Sequence, residues 1–299
     1  MVCAHGPIVG IRTVAQIIEH AAELLARYDV VFCDVWGVVH NGEVEFVEAG
    51  DALARFRKGG GTVVLVSNAP VPASAVENVL ALTGVRREAW DAIVSSGDLT
   101  LAYLQTQGFT RIYRLGPQQR DAGLFSRLSG IPATLDEAEV IVCTGLVDDV
   151  RETPETYRAL LENALHRGLP MVCANPDLVV DVGGRRRICA GSIAALFESM
   201  GGAVHWAGKP HAPAYRAAFD AAARQRGQPV PRNRVIAIGD ALRTDIAGAE
   251  RAGIDALFIA GGIHHDDVLR NGKIAPDRLV SLLAEAGLRP LATMSGFRW

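Results

Sequence analysis

Short β-branched runs recur along this chain. Each is long enough for one buried strand, and none is long enough to span a membrane. Residues 28–33, 62–66, 93–94, 235–238 and 256–259 are of this kind. Helical stretches separate them: 48–58, 73–83, 98–107, 213–226, 245–252 and 275–286, with an amphipathic stretch at 13–27, N-capped by Thr13, ahead of the first run. A strand that is apolar throughout must be covered on both faces, and alternating helices supply the covers. The expected fold class is therefore α/β, a Rossmann-like doubly wound parallel sheet. A second alternating block interrupts it, with strands at 112–115, 140–144 and 171–174 and helices at 120–128, 153–167 and 192–200. The strand expected at 204–207 resumes the first pattern. The chain thus reads as a discontinuous core, 1–105 and 204–299, with a smaller α/β cap, 106–203, inserted in it.

The bulk numbers exclude some functions. The chain has 299 residues, 49% hydrophobic and 21% charged, as suits a folded soluble protein. A net charge of −3 gives no bias toward nucleic acid or an anionic membrane, so recognition of an anion has to be local. The five cysteines (Cys3, Cys33, Cys143, Cys173, Cys189) form no close pair. That usage fits reduced thiols in a cytoplasmic protein. Residues 1–10 lack the basic start and apolar stretch of a secretory signal.

Two apolar runs, far apart, end in acid. Residues 28–33 lead into Asp34-Val35-Trp36-Gly37, and residues 234–238 lead into Gly239-Asp240, with Asp245 just beyond. The C-terminal ends of parallel strands are where open α/β sheets place their chemistry. Two strand ends that each present a carboxylate suit a divalent cation with a phosphate. Ser67 ends another strand, and Lys209 lies in Gly208-Lys209-Pro210 after a further one. In phosphoryl transfer a carboxylate can attack phosphorus, a hydroxyl and backbone amides can hold its oxygens, and a lysine neutralises the anions. Taken singly, each has a plainer reading: a solvated strand end, a turn cap, a surface lysine. His264-His265-Asp266-Asp267 reads better as a loop entering a helix than as a metal cluster, and Arg185-Arg186-Arg187 as a solvated turn.

Together these motifs resemble the haloacid dehalogenase superfamily of phosphatases over nearly the whole chain. Three segments resemble its subfamily IIA, with a type II cap, the nitrophenyl-, pyridoxal- and phosphoglycolate-phosphatase branch: Cys173-Ala174-Asn175-Pro176-Asp177, Trp206-Ala207-Gly208-Lys209-Pro210, and residues 238–246 around Asp240, Arg243 and Asp245. The resemblance implies that Asp34 is nucleophile and metal ligand, Asp240 a metal ligand and Asp245 a support of the metal shell. It implies that Ser67 binds phosphate and that Lys209 orients nucleophile and phosphate. Asn68, Asn175, Asp177 and Arg243 are its candidate substrate contacts. The metal implied is Mg2+, the substrate a small phosphorylated metabolite, and a homodimer is among the assemblies implied, because type II caps often pair.

One position departs from the pattern. Family phosphatases carry a second aspartate two residues after the nucleophile, as general acid and base; here it is Trp36. Its backbone carbonyl can still ligate the metal. Loss of the acid is worth about 10²–10⁴ in rate. Three readings stay open: a substrate whose leaving group needs no proton, a proton from His40, His264 or His265, or a slow or silent protein that binds a phosphometabolite. A metal-free dehalogenase also carries an aromatic residue here, but Asp240 and Asp245 would repel its carboxylate substrate. A phospho-acceptor signalling domain needs neither this length nor a cap.

Overall fold

The computed structural model describes residues 16–299. In chain order its strands are β1 (Gln16–Ile17), β2 (Val30–Cys33), β3 (Thr62–Ser67), β4 (Ala92–Ser95), β5 (Arg111–Leu115), β6 (Ile131–Pro132), β7 (Val140–Cys143), β8 (Met171–Cys173), β9 (Val179–Val182), β10 (Arg185–Ile188), β11 (Val204–Trp206), β12 (Val235–Gly239), β13 (Asp255–Ile259), β14 (Leu269–Arg270), β15 (Lys273–Ile274) and β16 (Ala292–Met294). Seven of them form one sheet in the order β1-β16-β13-β12-β2-β3-β4, parallel throughout. Alternate residues explain why its central strands read as unbroken apolar runs. Val31, Cys33, Val63, Leu65 and Ile238 pack on one face with Leu53, Phe56 and Leu80 of helices Val47–Lys58 and Ala73–Thr83. Val30, Phe32, Val64, Ala237 and Phe258 pack on the other with Tyr215 and Ala218 of helix Ala212–Arg226. Each fully buried Val, Leu, Ile or Phe side chain contributes roughly 1.5–3 kcal/mol.

The inserted region is built the same way at smaller scale. A parallel sheet, β11-β8-β7-β5-β6, lies between β4 and β12 in sequence. Ile141, Cys143 and Met171 meet helices Arg158–His166 and Ala190–Ser199 on one face. Ile112, Val140 and Val172 meet Leu104 of helix Ser96–Gln107 on the other. The fold is thus a Rossmann-like parallel core with an inserted mixed cap region. Among the described residues no helix is long and apolar enough to cross a membrane.

Three sequence-based expectations need correction. Thr13 lies outside the described residues, and residues 16–27 form no continuous helix. Gln16–Ile17 pairs as a strand with Ala292 and Thr293, and only Ala22–Leu25 is helical. The apolar spacing of 17, 18, 21 and 24 suits a helix, but the strand partner is supplied from the far end of the chain. Next, β11 pairs with β8 in the smaller sheet, Val204 opposite Met171, so the chain rejoins the larger sheet only after Trp206. An apolar run does not encode which sheet edge it joins. Finally, Arg185–Ile188 is no turn: it pairs antiparallel with Val179–Val182, joined by Gly183-Gly184.

Candidate active site

β12, β2 and β3 lie side by side in register, Ile238 opposite Cys33 and Cys33 opposite Leu65. Asp240, Asp34 and Ser67 therefore leave the sheet at one edge. The Asp34 amide extends the ladder one residue further by donating to the Ile238 carbonyl at 2.8 Å. Lys209 arrives from the other sheet, in the loop after β11. Its Nζ donates to Asp34 Oδ1 at 2.5 Å and to Asp245 Oδ1 at 2.7 Å, and its side chain is only 4% exposed. One ammonium from the small sheet thus clamps two carboxylates from the large one.

Asp245 is placed by a local irregularity. The Ile246 amide reaches back five residues to the Ala241 carbonyl, which opens the first turn after Asp240 into a π-turn over Leu242–Ile246. Such turns are rare and concentrate at functional sites. Asp245 Oδ2 accepts from the Ala241 amide at 3.1 Å, while its Oδ1 faces Lys209. Asp240 is held by the Ile263 amide, which donates to its Oδ2 at 2.7 Å. Two glycines leave it room: a Cβ at Gly37 (φ +81) or at Gly262 would stand 2.1 or 1.9 Å from Asp240 Oδ2.

Asp34, Asp240 and Asp245 each offer an oxygen within 4.8 Å of the others. Burial pushes all three carboxyls up, and like charge adds to it, from Asp177 at Asp34, from Asp34 and Asp245 at Asp240, and from Asp34 at Asp245, while Lys209 works against it: Asp240 stands well above the carboxylate range, and Asp245 is pushed up to about 6. Burial alone would lower the Lys209 ammonium, but Asp245 and Asp34 overcome it and hold it well above its ordinary value. One lysine cannot neutralise three buried carboxylates. An all-oxygen, anionic donor set of this kind fits a hard divalent cation. The Trp36 carbonyl, two residues after Asp34, takes no backbone hydrogen bond among the described residues.

Around this cluster the remaining candidates sort themselves. Ser67 is buried at its strand end and its Oγ accepts from the Ala69 amide at 3.2 Å. Asn68 has both ends of its amide engaged: Oδ1 accepts from the Lys209 amide at 2.8 Å, and Nδ2 donates to Asp177 Oδ1 at 2.9 Å and to the Lys209 carbonyl at 3.2 Å. Asn175 shapes the cap loop, its Oδ1 accepting from the Asp177 amide at 3.1 Å. Arg243 fastens that loop, donating to the Pro176 carbonyl at 3.0 Å. The Trp36 indole N–H donates to the Asp181 carbonyl of β9 at 2.6 Å. Three hydrogen bonds thus join the core's loops to one stretch of cap.

The three histidines considered as proton sources are otherwise engaged. His40 is buried, its Nδ1 accepts from the Gly42 amide, and burial pushes it down to about 4, so it is neutral near pH 7. His264 pairs with Asp267 and His265 with Asp266, next to them on the same short helical turn. Sequence reasoning missed Tyr215, whose hydroxyl donates to the Asp245 carbonyl at 3.1 Å, and the Gly262-Ile263 loop that holds Asp240. The glycine pair after β13 was the only signal for the latter.

Comparison with known proteins places this geometry. A family model described as haloacid dehalogenase-like hydrolase matches residues 31–124, and one described as HAD-hydrolase-like matches residues 206–286. A p-nitrophenyl phosphatase from Archaeoglobus fulgidus shares the fold, with 19% identity over 90% of this chain and 96% of that one, at a TM-score of 0.67. A dihydroxyacetone phosphatase from Corynebacterium glutamicum (strain R) is 25% identical over 124 residues, 41% of this chain but only 43% of that protein's length. A hydrolase of the haloacid dehalogenase-like family from Brucella suis 1330 is 41% identical, over 94% of this chain and all of that one, with a TM-score of 0.83. Likeness at that level, end to end, makes this chain a member of the haloacid dehalogenase-like family of hydrolases.

Proposed function

We propose that the chain is a magnesium-dependent phosphatase of a small phosphorylated metabolite, with a subfamily IIA, type II cap. The core comprises 1–105 and, given the pairing of β11, 207–299. The observation that carries the reading is the Lys209 ammonium shared between Asp34 and Asp245, with Asp240 beside them. Asp34 attacks phosphorus in line and becomes a phospho-aspartate, which water then hydrolyses. Ser67 and nearby backbone amides hold the phosphate oxygens. Lys209 aims Asp34 and offsets the charge gathering around it. Asp34, Asp240, Asp245 and the Trp36 carbonyl would hold Mg2+, which supplies charge neutralisation between nucleophile and phosphate. Asn175, Asp177 and Arg243 face the organic part of the substrate, and Asn68 serves by fixing Asp177 and the Lys209 backbone. The relative named a dihydroxyacetone phosphatase supports a small, polar leaving group.

The test uses Mg2+ and 4-nitrophenyl phosphate as an activated probe. Wild type releases phosphate, and Asp34→Asn loses at least ~10³-fold, as a lost nucleophile should. Equal rates for the two proteins end this reading. A second reading, binding without turnover, is favoured by Trp36, whose indole is committed to the cap. It is supported if wild type binds inorganic phosphate with Mg2+ yet releases none from any ester.

A further inference from the structure

A phosphate ester whose leaving group is an alcohol needs a proton on the departing oxygen, and nothing next to Asp34 in sequence offers one. We propose that Asp177, carried on the cap, is the proton donor of this site; the proposal rests on the hydrolase reading above. The loop that holds it is built for placement. Asp177 is the last residue of the turn shaped by Asn175, and the Gly191 amide donates to its carbonyl at 3.1 Å. The Arg243 guanidinium pins the preceding carbonyl from the core side. Its carboxyl reaches the core through Asn68, the residue after Ser67, at 2.9 Å from Oδ1. The other oxygen, Oδ2, accepts no hydrogen bond among the described residues.

The charges around it are mixed. Lys209, from the loop after β11, and Arg243, from the core, favour the carboxylate, as does the Asn68 amide, while Asp245 opposes it. Asp34 and Asp177 also feel each other's charge, and Cys189 lies close enough on the cap for Asp177 to disfavour its thiolate. Burial outweighs the favourable partners and pushes the Asp177 carboxyl up. A half-buried acid of raised affinity for its proton is the environment a general acid needs.

The step balances. As the Asp34 oxygen forms its bond to phosphorus, the ester P–O bond breaks, its electron pair stays on the leaving oxygen, and the Asp177 Oδ2 proton moves to that oxygen. In the second half a water adds to phosphorus, its proton passes to the Asp177 carboxylate, and the bond to Asp34 breaks to restore both carboxyl groups. A cap residue thus does what the chain no longer does from the position of Trp36, and the cap must be down for chemistry to start.

The experiment compares wild type with Asp177→Asn on aryl phosphates of rising leaving-group basicity, from 4-nitrophenyl to phenyl phosphate, in Mg2+. The readout is kcat/KM, which reports formation of the phospho-enzyme. Expected is a fall of about 10²–10⁴-fold on phenyl phosphate, a much smaller fall on 4-nitrophenyl phosphate, and a nitrophenolate burst that matches the enzyme concentration. In Asp177→Ala, added formate should restore part of the phenyl phosphate rate, a result that damage to folding would not give. An equal loss on every ester, no formate rescue, or a wild type unable to cleave phenyl phosphate overturns the assignment of Asp177. If wild type cleaves no ester at all, or Asp34→Asn matches it, the hydrolase reading itself has failed.

Discussion

The two sheets are built by one rule, parallel strands with helices on both faces, yet their strand ends differ in kind. The seven-stranded sheet delivers Asp34, Ser67 and Asp240 from adjacent strands. The five-stranded sheet delivers Asn175 and Asp177 after β8 and Lys209 after β11. Both sets meet in one place, so the C-terminal edges of the sheets face each other across the site. The large sheet brings negative charge, held by backbone amides and glycine-lined space. The small one brings the positive charge that makes the cluster tolerable, and a more loosely held carboxyl. Architecture decides where side chains emerge; the residues at the strand ends decide what each sheet contributes.

Lys209 is where that division is most exposed to attack. Lys209→Met keeps the length of the side chain and removes its charge. Asp34 and Asp245 are then buried beside Asp240 with no cationic partner, and breaking a buried pair from one side costs about 3–5 kcal/mol. Urea unfolding without Mg2+ should show a loss of that order, and turnover should fall by at least ~10²-fold, since Asp34 is no longer aimed. A metal-free Lys209→Met protein as stable as wild type would mean the two sheets do not share charge in this way.

How much of this could be read from the sequence depends on the same division. The central strands were legible because both of their faces are buried, so Val30 to Cys33 and Val235 to Ile238 are apolar without interruption. Asp34 and Asp240 were legible because they end those runs. β1 and β16 were not: each has two or three residues at the sheet's rim, and their partnership spans most of the chain. The Trp36–Asp181 and Asn68–Asp177 bonds were illegible for a stronger reason. They depend on how far the cap closes over the core, and no local pattern encodes that distance. The motif named Asp177 as a contact but not its bond to Asn68.

Magnesium should sharpen the contrast between the sheets, and pH sets by how much. A carboxyl with a raised folded pKa contributes stability that is fully present below its unfolded value near 4 and is lost as pH rises through its folded value. For Asp245 that window runs up to about 6, with Asp34 and Asp240 shifted in the same direction. The metal-free protein should therefore be more stable at pH 5 than at pH 8. A cation does the protons' work at high pH, so Mg2+ should raise the melting temperature more at pH 8. At 100 times its dissociation constant the gain is about 2.7 kcal/mol, roughly 5 °C for a chain of this size. A Mg2+ shift that is absent, or larger at pH 5, would place the cation elsewhere.

The mildest break is at the seam. Trp36→Phe keeps an aromatic ring near His40 and removes the N–H that reaches the Asp181 carbonyl, together with the outer indole ring beside Gly42. One such hydrogen bond contributes about 0.5–1.5 kcal/mol. If it tethers the cap hairpin to the core loop, amide exchange across β9 and β10 should quicken about fivefold, the factor that 1 kcal/mol sets, while β2 and β12 stay protected. Faster exchange in the large sheet as well would show that Trp36 supports the core and not the seam. Unchanged exchange in both would mean the hairpin is held by Arg243 and Asn68 alone, and Trp36→Asp would then add a carboxyl beside Asp34 without loosening the cap. Placed in the Asp177→Asn background, that substitution should recover phenyl phosphate cleavage, because a proton donor on either sheet serves the same oxygen.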